Sequence, residues 1–187
     1  MGKEPLDVDI IEIEHSDEVI VALRTVQQSQ VHLNVLADQK ANINIGFTLL
    51  FITLSQMPVV VDATQQALAL RWGIILVMLS VAVSLVLALL VVSPRTGGLR
   101  INRAEQMANP FYFGMFAQLE QDSYVDYMLA NLNRDQEARR MLLVDIYQIG
   151  RVLKRKYRLL RFSYGFLALS AILSAGLFAY RTLAISN

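Results

Sequence analysis

The chain has 187 residues, the size of one ordinary domain. Hydrophobic residues make up 55% of it and charged residues 18%, against soluble norms of about 45–50% and about 25%. The net charge is +1, and the absence of cysteine excludes disulfide scaffolds, thiolate-held zinc and thiol catalysis. Three stretches, 41–61, 72–92 and 162–180, contain no Asp, Glu, Lys or Arg. A helix needs about 20 apolar residues to cross ~30 Å of hydrocarbon. The expected fold class is an all-α integral membrane protein: three transmembrane helices with a cytoplasmic helical bundle or stalk.

Residues 1–40 form an acidic N-terminal segment with a cytoplasmic helix. They hold eight acids and three bases, a net of −5. No apolar stretch precedes residue 41, so the segment does not read as a cleavable signal peptide, and the first span directs insertion. His15 and His32 fit no metal-ligand spacing. Val19, Leu23, Val26, Leu33 and Ala37, interrupted by Gln30, form an apolar stripe leading into the first span.

Residues 41–92 read as a two-span hairpin. The first span is unusually polar. Asn42, Gly46, Thr53 and Gln56 share one face; Asn44, Thr48 and Ser55 form a second stripe roughly opposite. Polar and small residues in lipid sit where helices meet, so two such faces predict two neighbours, or a neighbour and a wet cavity. The second span opens on Trp72, which suits an outer interface, and carries the small-residue pattern Ser80, Ser84, Ala88. That pattern predicts self-association.

Residues 93–161, the expected cytoplasmic helical region, hold twelve bases and seven acids, a net of +5. Asn102 to Glu105 has the form of a capping box, and Asn109-Pro110 that of a helix start. The aromatic run Phe111, Tyr112, Phe113, Phe116 follows and reads as core packing, an interfacial anchor or a stacking surface. A heptad stripe runs Met128, Leu132, Asp135, Arg139, Leu142, Ile146, Ile149, Leu153, Lys156, Leu160. It predicts a helix over about 124–161, roughly 57 Å long, with a bend near Asp135 and Arg139. Residues 162–187 supply the third span and a short outer tail, with Ala171, Ala175 and Ala179 at small-residue spacing.

The short loop at 62–71 holds only Arg71 and the tail only Arg181, so the basic segments lie inside. The expected topology is N-terminus cytoplasmic and C-terminus outside, multi-pass, in a bacterial inner membrane. The spans hold no ionisable residue, which argues against a proton-coupled transporter. No Walker loop, dinucleotide fingerprint, nucleophile elbow or catalytic carboxylate pair occurs. The chain does not read as an enzyme, and no metal site or nucleic-acid partner is expected. Arg95, Arg100 and Arg103 are candidate phosphate partners, with Tyr112 or Phe113 as stacking groups. Asp38 and Lys40 precede the first span as Arg158 and Arg161 precede the third. The expectation is that Asp38 pairs with a guanidinium at the bilayer edge and couples bundle to spans, while Lys40 snorkels to lipid phosphate.

Leu36-Ala-Asp-Gln-Lys-Ala41, Asn109-Pro-Phe-Tyr-Phe-Gly114 and Lys156-Tyr-Arg-Leu-Leu-Arg161, in this order around the spans, resemble the membrane-spanning effectors of Pycsar anti-phage systems. The likeness covers roughly residues 20–185. The resemblance implies an effector that perturbs the inner membrane in response to a cyclic pyrimidine nucleotide, causing abortive infection. It implies cyclic UMP or cyclic CMP as activating ligand, with no resident cofactor. The implied partners are a nucleotide cyclase, the lipid bilayer and further copies of the chain. The alternative reading is a non-catalytic oligomeric scaffold or channel subunit with a helical stalk.

Overall fold

The computed structural model describes residues 6–56, 68–93 and 107–186, with side chains at 18–56, 68, 70–93 and 107–183. Among these residues every regular element is a helix: α1 Leu6–Ser55, α2 Leu68–Val92, α3 Phe113–Phe116, α4 Gln121–Leu132 and α5 Asp135–Ser186. The four prolines set this pattern. Pro5 precedes α1, Pro58 and Pro94 follow α1 and α2, and Pro110 precedes α3. Lacking an N–H and clashing with the preceding turn, proline is excluded from helix interiors. Between prolines, α1 runs for 50 residues, and beyond the last one α5 runs for 52.

The helix expected over about 124–161 is two helices. It breaks at Asn133 and Arg134, where the Asn131 side chain donates to the Tyr127 carbonyl at 2.7 Å and the Arg134 N–H turns back to the Asn131 carbonyl at 3.2 Å. Asn and Asp side chains compete with the helix ladder for backbone partners. Asp135 and Glu137 then occupy the first turn of α5, where negative charge suits the helix dipole.

The chain forms two units: Met1–Leu33 with Arg95–Leu153, and Asn34–Pro94 with Lys154–Asn187. The boundaries drawn on charge, 1–40, 41–92, 93–161 and 162–187, lie closer to the apolar segments. The helical turns at Ala37 and Lys156, polar in sequence, pack within the second unit.

In the first unit Met107 is buried, packed against Met115, Phe116, Leu119, Tyr124 and Tyr127. The Phe116 and Tyr124 rings stack at 5.1 Å, and the Tyr124 hydroxyl donates to the Pro110 carbonyl at 3.2 Å. Of the expected apolar stripe on α1, Val19, Val26 and Leu33 are exposed, Leu23 is half-buried, and Ala37 is buried in the second unit.

In the second unit α1 and α5 lie parallel. Asp38 meets Lys156, and Asn44 meets Ser163, at sequence offsets of 118 and 119 residues. Between these pairs Ala41, Val91 and Leu160 form a small core. Helix α2 lies antiparallel to α5, since Ser84 bonds Ser163 and, one turn earlier, Ser80 bonds Phe166. This unit buries polar side chains beside apolar ones such as Val77 and Val81, and its exterior is apolar. Asn44, Thr48, Ser80, Ser84, Ser163 and Ser170 are buried, while Phe47, Leu79 and Ile172 stand 57%, 61% and 69% exposed. Satisfied polar groups beneath an apolar exterior suit a hydrocarbon solvent.

Among the described residues two helices, not three, are long and apolar enough to cross a membrane: Leu70–Val92, and a helix spanning Asp135–Leu183. The first expected span is interleaved with Asn42, Asn44, Thr48, Thr53 and Ser55, and its last residues, 57–61, lie outside the described residues. A second correction concerns self-association through Ser84 and Ala88. Both are fully buried within one chain. The stripe at Ala171, Ala175 and Ala179 is exposed, as are Asn42, Gly46, Thr53 and Gln56 on α1.

Candidate functional site

The side chains with most chemistry lie on inward faces, and most of them are not those that amphipathic reasoning selects. In the first unit the centre is Asp145 on α5, 6% exposed. One carboxylate oxygen accepts from the Gln27 amide of α1, the other from the Asn109 amide at 2.8 Å. Asn109, itself buried, also donates to the Gln148 carbonyl oxygen at 3.2 Å and accepts from the Phe111 N–H at 3.0 Å. Among the described residues Asp145 is thus held by amides and by no cation. Asn109 does not begin a helix as expected: α3 starts at Phe113 with Tyr112 at its cap, and the Asn109 side chain instead ties the Phe111 turn to α5. Nearby on α1, the Gln30 side-chain oxygen is buried without a partner.

In the second unit Ser84 and Ser163 form a reciprocal clasp. The Ser84 hydroxyl donates to the Ser163 carbonyl at 2.8 Å, and the Ser163 hydroxyl to the Ser84 carbonyl at 2.7 Å. Serine's small volume lets the two backbones approach closely enough for this exchange. Asn44 Nδ2 donates to Ser163 Oγ at 2.5 Å and reaches Ser84 Oγ at 3.4 Å. Its Oδ1 is buried with no partner. Turning the amide over leaves the NH₂ orphaned at the same spot, so one end of Asn44 is unsatisfied in either orientation.

At the start of this unit Lys156 Nζ bonds both oxygens of Asp38, at 2.7 and 2.9 Å. The partner is therefore Lys156 and not Arg158 or Arg161. At 100° per residue, Lys156 shares a face with buried Leu160 and Ser163, whereas Arg158 and Arg161 point away and are exposed. Lys40 is exposed, with Nζ 5.7 Å from the Tyr157 ring centroid, a cation–π distance. Its backbone carbonyl accepts from the Tyr164 hydroxyl at 2.9 Å.

Of the candidate ligand residues, Arg95, Arg100 and Arg103 lie outside the described residues, as does the capping box at Asn102–Glu105. Tyr112 and Phe113 are described. Their rings lie 5.2 Å apart, tilted by 56°, with Tyr112 half-buried and Phe113 57% exposed. Sequence reasoning missed Gln27, Asp145, Gln148, Lys156 and Ser163 as buried partners. The available signal was polar periodicity: Gln27, Gln30, Asn34, Asp38, Asn44 and Thr48 recur along α1 at helical spacing.

Long apolar helices and a unit that turns its polar side chains inward define an all-helical, membrane-associated protein. The chain belongs to the Pycsar effector family: the model of the Pycsar effector protein domain matches residues 21–182. Members of this family are anti-phage defence effectors with a transmembrane region, and it is not a known catalytic family. No curated protein and no solved structure matches the chain.

Proposed function

We propose that this effector perturbs the bacterial inner membrane in response to a cyclic pyrimidine nucleotide, cyclic UMP or cyclic CMP made by a partner cyclase, and so aborts infection. The observation that carries the reading is the family match over residues 21–182. The proposed topology has three spans, with the N-terminus cytoplasmic and the C-terminus outside. The far half of α1 supports the third span: it buries Asn44 and Thr48 while exposing Ile43, Phe47, Leu50 and Leu54. A helix facing lipid needs only its outer surface to be apolar. The scarcity of Lys and Arg in the loop at 62–71 and in the tail, against twelve in 93–161, supports the orientation.

In this reading Arg95, Arg100 and Arg103 neutralise the ligand phosphate, and exposed Phe113 with Tyr112 offers a face for the base. The response reaches the bilayer through α1 and α5, each one unbroken helix over both the basic or acidic segment and the span that follows. The Asp38–Lys156 pair couples the two helices where they enter the membrane. Homo-oligomers form through the exposed Ala171, Ala175 and Ala179 stripe.

Co-expression with a uridylate or a cytidylate cyclase, while membrane potential and growth are recorded, tests the proposal. Depolarisation and growth arrest are expected only with an active cyclase. Arrest without any cyclase supports a constitutive channel instead, and harmless expression with both cyclases supports a scaffold.

A further inference from the structure

Among the described residues of the second unit Asp38 is the single acid, and Lys156 Nζ already bonds both of its oxygens. Lys154, Arg155, Arg158 and Arg161 flank that lysine along α5, and all four are exposed. Among the described residues none of these four side chains has an ion-pair partner. Helical phase gathers them into a ridge. At 100° per residue Lys154, Arg158 and Arg161 fall within about 60° of one another, with Arg155 beside them. Lys156, Leu160 and Ser163, which pack inward, lie roughly opposite. From Lys154 to Arg161 the ridge rises about 10 Å.

Like charges three or four residues apart destabilise a helix, and Arg158 has one on each side. With Asp38 taken, no described acid of the unit offsets that repulsion, so the counterions come from outside the chain. The charge-free run 162–180 begins directly after Arg161, which sets the ridge where headgroups meet hydrocarbon. Polybasic segments at that depth attract anionic lipid, and each guanidinium can grip two oxygens of one phosphate. We infer that Lys154, Arg155, Arg158 and Arg161 form a site for the phosphodiester headgroups of anionic phospholipids in the cytoplasmic leaflet. The inference rests on the proposed entry of α5 into the membrane at residue 162 and is independent of the response to nucleotide. Headgroups held on this face fix the depth and rotation of α5 from the side away from α1 and α2. Any turn of α5 about its axis then breaks phosphate contacts, and membrane composition sets the resistance to it.

The test uses the full chain in nonionic detergent, without nucleotide, mixed with equal amounts of phosphatidylglycerol and phosphatidylcholine of the same acyl chains. Native mass spectrometry reads the ratio of the two lipids retained. Each base near an anionic surface adds roughly fivefold to binding, so the native chain should favour phosphatidylglycerol by at least ~10-fold. Arg158→Gln and Arg161→Gln should each lower that preference about fivefold, and the triple variant with Lys154→Gln should bring it near parity. Arg158→Lys, which keeps the charge, should retain most of it. Arg24→Gln, at an exposed base of the first unit, should leave it unchanged. Equal retention of the two lipids by the native chain overturns the inference, as does a preference that survives the triple variant. So does an Arg24→Gln loss as large as that of Arg158→Gln, because the lipid then reads net charge and not the ridge. Displacement of phosphatidylglycerol by an equal concentration of inorganic phosphate also overturns it, since the ridge is then a free-anion site. If the triple variant does not fold, the single variants still decide. A chain with the lipid preference but no toxicity under any cyclase would refute the proposed function and leave the ridge standing; toxicity without the preference would do the reverse.

Discussion

Replacing Asn44 with leucine should leave the second unit as stable as before or more so, although it deletes a buried hydrogen bond of 2.5 Å. Hydrogen bonds between helices in membranes average ~0.6 kcal/mol and reach at most about 1.7. Against that loss stands the buried Oδ1 with no partner, and an unsatisfied buried acceptor costs about 1–3 kcal/mol. The Ser84–Ser163 clasp survives, because each hydroxyl donates to a backbone carbonyl and not to Asn44. Leucine keeps asparagine's branched skeleton of four side-chain heavy atoms but its methyl groups are bulkier, so no cavity opens and crowding takes back part of the gain. The balance runs from near zero to about 2 kcal/mol in favour of Asn44→Leu. For a chain of this size that raises the melting midpoint by up to roughly 8 °C. Thermal unfolding in detergent, followed by Trp72 fluorescence and circular dichroism, reads the change, with Asn44→Ala as the cavity-forming control that should melt lower. The variant should also blunt toxicity under an active cyclase, since an apolar seam no longer favours a rearranged packing that satisfies the amide. A midpoint more than about 4 °C below the native value would show that Asn44 is structural cement and refute the reasoning.

Asp38→Ala strands the Lys156 ammonium, 19% exposed, and should cost about 1–2 kcal/mol, less than a fully buried pair because Asp38 is 35% exposed; a double-mutant cycle with Lys156→Met should recover most of it, and membrane potential under an active cyclase should respond weakly in the single variant at matched expression. Asp145→Asn sets an NH₂ against the amide donors of Gln27 and Asn109 and should cost about 1–3 kcal/mol in denaturant midpoint; native stability would show that those amides turn over freely. Ala175→Leu should lower the oligomer mass in detergent while Ser84→Leu, at a fully buried position, should lower melting stability; the reverse pattern would return the interface to α2. Because the chain has no cysteine, Ser16→Cys and Asn187→Cys can each be labelled without background, and an impermeant reagent outside intact inner membranes should reach only the second.

The apolar segments at 72–92 and 162–180 were legible because charge exclusion is a long, redundant signal, whereas near Asp135 only a bend was expected and the helix breaks, because side chains that compete with the backbone cluster there. The face of each helix was harder to read. On α1 the rule that apolar means inward selected Val19, Leu23, Val26, Leu33 and Ala37; Ala37 is buried and Leu23 half-buried, but Val19, Val26 and Leu33 are exposed, and half-buried Gln27 makes the polar contact of the first unit. The rule fails where the partner surface is itself polar, and Asp145 with Gln148 makes it so. The second unit breaks the rule again, since its solvent is expected to be hydrocarbon. The choice of Lys156 over Arg158 or Arg161 was available from helical phase alone, by asking which base shares a face with Leu160 and Ser163.

Asn44 and Ser163 are 119 residues apart in the chain, and on the proposed topology that separation becomes an interval of time. At about 5–20 residues per second, synthesis takes roughly 6–24 s to pass from one to the other. Throughout that interval the first span carries an amide whose best partner does not yet exist. Biogenesis thus has a waiting step built into it: the polar span must be sheltered by the insertion machinery, or held by Ser84 alone, until the last helix arrives.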